Sequence, residues 1–208
     1  MTEPESTSAR LAADYAPYVD MAGVAALKAS HLEAISDIEA DTRLSDEGKK
    51  IELAKAYEAN QAAMDGYRAK FEAETDKASV TAGKRLFGPA ATDPASLLSH
   101  RDALDRAEKI TTEDDARAQI DRARYSGDES MVRALTMQAH RKGWDSVLGE
   151  VEKFSPGTGA KLDAYRAIPG RNKLSVKSMF SVSVPNQFRS GLDGATNTAS
   201  LRMWASKG

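Results

Sequence analysis

Between residues 53 and 71 large side chains recur at alternating steps of four and three: Leu53, Tyr57, Met64, Tyr67 and Phe71, with Asn60 at the one polar step. That spacing draws a single stripe along a helix, the seam of a coiled coil. Upstream, Val24, Leu27, His31, Leu32, Ile35 and Ile38 fall on one broad face and predict a first helix from about Val24 to Arg43. The stretch Leu44–Gly48 interrupts the pattern. Ser45 reads as the N-cap of the second helix, and Asp46 and Glu47 suit the positive end of its dipole. A break this short folds two helices back as an antiparallel hairpin, here over residues 21–82. A lone hairpin has a thin core, so it needs the rest of the chain or another subunit to be rigid.

The run Gly83–Pro89 marks the best internal boundary, because glycine ends a helix and proline prevents its restart. Beyond it the chain reads as short helices punctuated by turns. Asp93-Pro94 opens one that carries Leu97, Leu98, Arg101, Leu104 and Ala107; Thr112 caps the next, with Ala116, Ile120 and Ala123 inward. Gly127-Asp128, Gly143 and Ser155-Pro156-Gly157 separate three more, whose inward positions include Val132, Leu135, Ala139, Val147, Leu148, Val151 and Phe154. Helices of about a dozen residues joined by such turns stack as antiparallel neighbours, so residues 90–169 are expected to form a small helical bundle.

After Gly170 the period changes to two: Leu174, Val176, Phe180, Val182 and Val184 alternate with polar residues. A single strand without a partner is not stable alone. It therefore lies in a groove as an extended arm or adds a β-strand to another subunit. Residues 1–20, which carry Pro4 and Pro17, read as a flexible N-terminal arm. The expected fold class is thus all-α, a long hairpin plus a small bundle, with an extended basic C-terminal arm over residues 170–208.

Composition agrees, since about one residue in six is alanine and strong helix formers supply most of the rest. The net charge is −2, but it is unevenly spread. From Lys161 onward eight basic residues face two acidic ones, which leaves −8 on the first 160. A basic tail on an acidic body suits ordered assembly. The expected partner-binding residues of the arm are the basic Arg171, Lys173, Lys177, Arg189 and Arg202, and the apolar Leu174, Val176, Phe180, Val182, Val184, Phe188 and Trp204. Nucleic-acid phosphates are the other target such cations suit. With the chain net acidic and only Phe180, Phe188 and Trp204 available for stacking, protein is the favoured partner.

No chemistry stands out. The chain has no cysteine, which excludes disulfides, thiolate metal sites and cysteine nucleophiles. His31, His100 and His140 form no metal-binding spacing, and His31 within its apolar stripe reads as packing. Asp102/Asp105 and Asp114-Asp115 lie at helix starts or solvated faces. Gly83-Lys84 and Gly157-x-Gly159 echo phosphate loops only in passing, because neither follows a strand. The expectation is a non-enzyme without cofactor or metal. No apolar run reaches the ~20 residues of a membrane helix, and the acidic start lacks a signal-peptide pattern.

Two segments carry a resemblance. Ile38–Tyr57 (IEADTRLSDEGKKIELAKAY) and Ala123–Val147 (ARYSGDESMVRALTMQAHRKGWDSV) resemble structural and assembly proteins of tailed bacteriophages of actinobacteria. The resemblance implies a virion component, head-associated or at the head–tail junction, assembled in the host cytoplasm. It implies capsid or portal-type subunits, and copies of the chain itself, as partners. A capsid scaffolding protein, which leaves the mature particle, is the nearest rival. The second segment is also similar to a tetratricopeptide helix pair, the mark of a cytoplasmic adaptor, although one pair falls short of that family's array.

Overall fold

The computed structural model describes residues 13–170, 174–190 and 195–207. The protein is all-α; the β structure among the described residues is one two-residue antiparallel pairing. Asp20 opens helix α1 (Met21–Ala40), its carboxylate accepting the Gly23 N–H at 3.0 Å. In the following turn the Arg43 guanidinium donates to both oxygens of Asp41, at 2.9 and 2.7 Å, and holds that carboxyl down to about 2. Ser45 then caps helix α2 (Asp46–Phe87) by accepting the Gly48 N–H at 3.1 Å, as its position predicts.

Helix α2 is 42 residues long and passes the expected end at residue 82. A helical glycine costs only ~1 kcal/mol relative to alanine, too little for Gly83 to stop it. The last turn is also well anchored. Leu86 is buried, Phe87 stacks on His140 at 5.9 Å and meets Tyr165 edge-on at 5.4 Å, and Arg133 Nη1 donates to the carbonyls of Arg85 (3.1 Å) and Gly88 (3.3 Å). The chain divides into two compact units inside this helix: residues 1–75 with 169–208, and residues 76–168. The boundary expected at 83–89 is corrected accordingly.

In the unit of residues 76–168, α3 (Pro94–Glu108), α4 (Glu113–Ser126), α5 (Glu129–Lys142), α6 (Asp145–Phe154) and α7 (Thr158–Ala167) follow one another through short turns. Asp93, Thr112 and Asp128 cap α3, α4 and α5, and Gly127 and Gly143 close α4 and α5 at φ of 67° and 72°, a left-handed conformation that glycine adopts freely. Helix α5 lies at the centre. Met131, Val132, Ala134, Leu135 and Ala139 are buried against Ala103 and Ala107 of α3, Ala116, Ile120 and Ala123 of α4, and Val147 and Val151 of α6. Alanines on facing helices let the backbones approach closely. One detail differs: Leu97 and Leu98 are 42% and 65% exposed, because the α3 face that meets the core runs through His100, Ala103 and Ala107.

In the other unit, contacts between α1 and α2 run in opposite order along the two helices. Gly23 lies against the Tyr67 hydroxyl, the His31 ring meets Tyr57 edge-on at 6.2 Å, and the Glu39 carbonyl accepts from Lys49 Nζ at 2.6 Å. Two expectations fail here. Residues 13–15 are helical, and Tyr15 and Val19 are buried, so this part of the supposed N-terminal arm belongs to the core; residues 1–12 lie outside the described residues. The C-terminal segment is not an extended free arm. It forms α8 (Leu174–Met179), an extended stretch through Pro185, a 3-10 turn (Asn186–Phe188), strands β1 (Arg189–Ser190) and β2 (Ala195–Thr196), and α9 (Thr198–Ala205), packed on its own helices.

A candidate site in the groove between the first two helices

The physical reason for that packing is the thinness foreseen for the hairpin. Leu53, Met64 and Phe71 of the seam are buried, and Tyr57 and Tyr67 half-buried, but α1 alone does not cover them. Helix α1 brings Val24 and His31 fully inward, with Leu27, Ile35 and Ile38 half-buried, while Leu32 points out at 55% exposure. The C-terminal segment supplies the missing side of the core.

It does so with two periods. Val176 and Phe180, four residues apart at the end of α8, share one face and are buried together with Tyr15, Met64 and Phe71. The Phe180 ring lies 5.2 Å from Phe71, which also meets Tyr15 at 5.1 Å and Tyr18 edge-on at 6.3 Å. From Phe180 the chain is extended: Val182 is buried and Val184 half-buried, while Ser181 and Ser183 face outward. Farther along, Phe188 and Leu201 close over Leu53 and Ala54, with Ile35, Ile38 and Trp204 at their edge.

Among the described residues the extended stretch has no neighbouring strand, so side chains satisfy its backbone. His31 Nε2, from α1, lies 2.8 Å from the Ser183 carbonyl, a bond the imidazole N–H donates. Gln61 Oε1, from α2, accepts the Val182 N–H at 3.3 Å. Lys28 Nζ donates to the Ser178 carbonyl at 3.3 Å, and partial burial lowers the pKa of that ammonium. At one end the Tyr15 and Ser175 hydroxyls meet at 3.1 Å; at the other, Gln187 Nε2 donates to Glu39 at 3.0 Å. Main-chain bonds from both walls, with alternate side chains buried beneath, are the means by which a groove recognises an extended peptide.

Of the expected partner-binding residues, the structure brings Val176, Phe180, Val182 and Phe188 into this intramolecular core, with Val184 and Trp204 at its margin. They are corrected from an external surface to an internal one. Leu174 is 87% exposed, and Lys177, Arg189 and Arg202 are also exposed; Arg189 Nε donates back to the Val184 carbonyl at 3.1 Å. Arg171 and Lys173 lie outside the described residues. The expected attraction between basic tail and acidic body has a small part: Lys207 pairs with Glu47 at 3.6 Å and lies 3.9 Å above the Trp204 ring. Apolar burial carries the docking.

Sequence reasoning missed Gln61 and the tail-binding role of His31. Each is a polar residue beside or within an apolar stripe, a signal that marks a polar partner without naming it. Asn60, placed in the seam by spacing, turns back to bond the Ala56 carbonyl at 2.8 Å. Among the described residues no helix is long and apolar enough to cross a membrane, and no group of histidines and carboxylates is arranged to hold a metal ion. Comparison with family models, with curated proteins and with solved structures finds no match.

Proposed function

We propose that the chain is a non-enzymatic assembly component of the kind found in tailed-bacteriophage particles, and that copies connect by exchanging the C-terminal segment between α1–α2 grooves. The C-terminal segment packs on its own chain, so an arm with no surface of its own is not what supports assembly. The reading is carried instead by the groove: His31 and Gln61 hold the backbone of residues 182–183 from opposite walls above buried Phe180 and Val182. An identical segment from a second copy makes the same bonds, so exchange changes the connectivity and not the contacts.

The absence of native cysteine makes the test clean. One copy carries Glu39→Cys and another Gln187→Cys, a pair of exposed side chains in contact across the groove. The two are co-expressed, concentrated and bridged with a short bis-maleimide. A covalent heterodimer that grows with concentration is the expected result. Monomer by light scattering at the highest soluble concentration, with no cross-link between the single variants while the double variant bridges internally, sinks the exchange. For the particle itself, mass spectrometry of purified virions should find the chain at a fixed copy number; its absence from mature particles would favour the scaffold reading.

A further inference from the structure

The unit of residues 76–168 carries a separate cleft that the assembly reading does not use. It measures about 260 Å³ and is bounded by the end of α2, the start of α5, and the turn from α6 into α7. Three cations line it from three elements: Arg85, Arg133 and Lys161. Ser155 adds a hydroxyl, that of Thr158 is donated to the Ser155 carbonyl at 2.7 Å, and Glu129 is the one carboxylate among the lining residues. The cavity lies beside the two segments that echo phosphate loops, Gly83-Lys84 and Gly157-x-Gly159, and is lined by their neighbours Arg85, Ser155 and Thr158.

The cations are not consumed by the fold. Arg133 is fixed by the two bonds from its Nη1 to the Arg85 and Gly88 carbonyls, which leaves its remaining N–H donors available. Among the described residues the Arg85 guanidinium and the Lys161 ammonium enter no ion pair or hydrogen bond. Of the nearby carboxylates, Asp163 pairs with Arg166 at 3.9 Å, and Glu152 feels the Lys161 charge without bonding to it. The Glu152 oxygens accept the N–H groups of Gly159 (2.6 Å) and Gly157 (2.7 Å), bonds that lower its pKa, with the Lys161 charge adding to them. Three positive groups against Glu129 in the lining and Glu152 beside it leave the concavity with an excess of positive charge, which a bound anion relieves. The cavity is smaller than the roughly 300–1,000 Å³ that drug-sized ligands occupy. Its volume suits an oxyanion head group, and guanidinium forks match the geometry of phosphate oxygens.

We infer that this cleft binds a phosphate-type oxyanion, the phosphoryl group of a small phosphate ester or of a nucleic-acid backbone, held by Arg85, Arg133 and Lys161 with Ser155 as a hydroxyl donor. Glu129 sets a limit on its affinity. The site is independent of tail exchange and stands or falls without it.

The test titrates the full-length chain with inorganic phosphate and with pyrophosphate at constant ionic strength, chloride serving as the control, and follows heat and thermal shift. Saturable one-to-one binding, tighter for pyrophosphate, is expected. Arg85→Ala/Lys161→Ala removes two charge-assisted contacts and should weaken binding at least about tenfold. Its ligand-free melting should not move, since both side chains are exposed. Glu129→Gln removes the repulsive carboxylate and should tighten binding several-fold. Stabilisation equal to that of chloride, or binding unchanged in both variants, overturns the site. A parallel titration with a nucleoside monophosphate and a single-stranded oligonucleotide separates the sources. A saturating mononucleotide assigns the small ester, and oligonucleotide binding that needs Arg85 and Lys161 assigns the backbone phosphate. Oligonucleotide binding that survives the double variant overturns the assignment.

Discussion

Replacing Phe180 by alanine distinguishes an internal C-terminal segment from an external arm. The ring is 3% exposed and packs 5.2 Å from Phe71 in the cluster that also holds Tyr15, Met64 and Val176. Truncating a buried phenylalanine costs about 3–5 kcal/mol, made up of lost transfer free energy and the cavity left behind. An exposed arm residue would change stability by no more than about 0.5 kcal/mol. The assay is urea unfolding followed by Trp204 fluorescence in a Trp144→Phe background, because Trp204 belongs to the α1–α2 unit and Trp144 to the other. With urea m-values of roughly 1–3 kcal/mol/M, the midpoint should fall by about 1 M or more. Leu174→Ala, at an exposed site six residues earlier, should leave it in place. Equal midpoints for Phe180→Ala and the parent would refute the packing on which the groove depends.

Two glycines in the same unit should respond in opposite directions. A methyl at Gly23 would run into the Tyr67 hydroxyl and lie 2.6 Å from the Asp20 carboxylate that caps α1, so Gly23→Ala should cost about 1–2 kcal/mol despite its better helix propensity. A methyl at Gly66 meets nothing within 4 Å, and Gly66→Ala should stabilise by about 0.5–1 kcal/mol; urea midpoints check both. Burial, with Arg133 and Arg166 adding to it, lowers the pKa of His100 and His140 below the ordinary 6.5. The folded state therefore favours neutral rings. Their contribution is complete above 6.5 and is lost as pH falls through the folded values. The midpoint read from Trp144 should drop as pH falls below about 6.5, and His100→Gln/His140→Gln should flatten that slope.

Much of the helical unit around α5 was legible because its signals are local. Asp93, Thr112 and Asp128 cap the helices they precede, and the Gly127 and Gly143 backbones are left-handed where the chain must turn. The inward faces of α4 and α5 follow from spacing alone. What escaped depends on distant residues. Nothing within α3 says that His100 and not Leu98 faces the core; the alanines of α5 decide it. Gly83 carries a stop signal that Phe87, His140 and Tyr165 override from elsewhere in the chain. The period-2 pattern read over Leu174–Val184 signals an extended conformation needing a surface, which holds from Phe180 onward, whereas Leu174–Met179 are helical. The groove reading among its two alternatives describes the backbone found, but the surface is the chain's own, because His31 and Gln61 supply the polar partners that a neighbouring strand would otherwise give.

That cis occupancy constrains how assembly can work. A segment tethered to its own groove acts at an effective concentration on the order of millimolar. Free chains at micromolar concentration therefore keep their tails at home, and a competing tail displaces them only when subunits are crowded to a similar level. Since the contacts are the same in both arrangements, the balance between them is set by crowding and not by groove affinity. Weakening the groove, as in Phe180→Ala, should destabilise monomer and exchanged dimer together and leave their ratio nearly unchanged. A dimer fraction that tracks groove strength would mean that copies meet through some other surface.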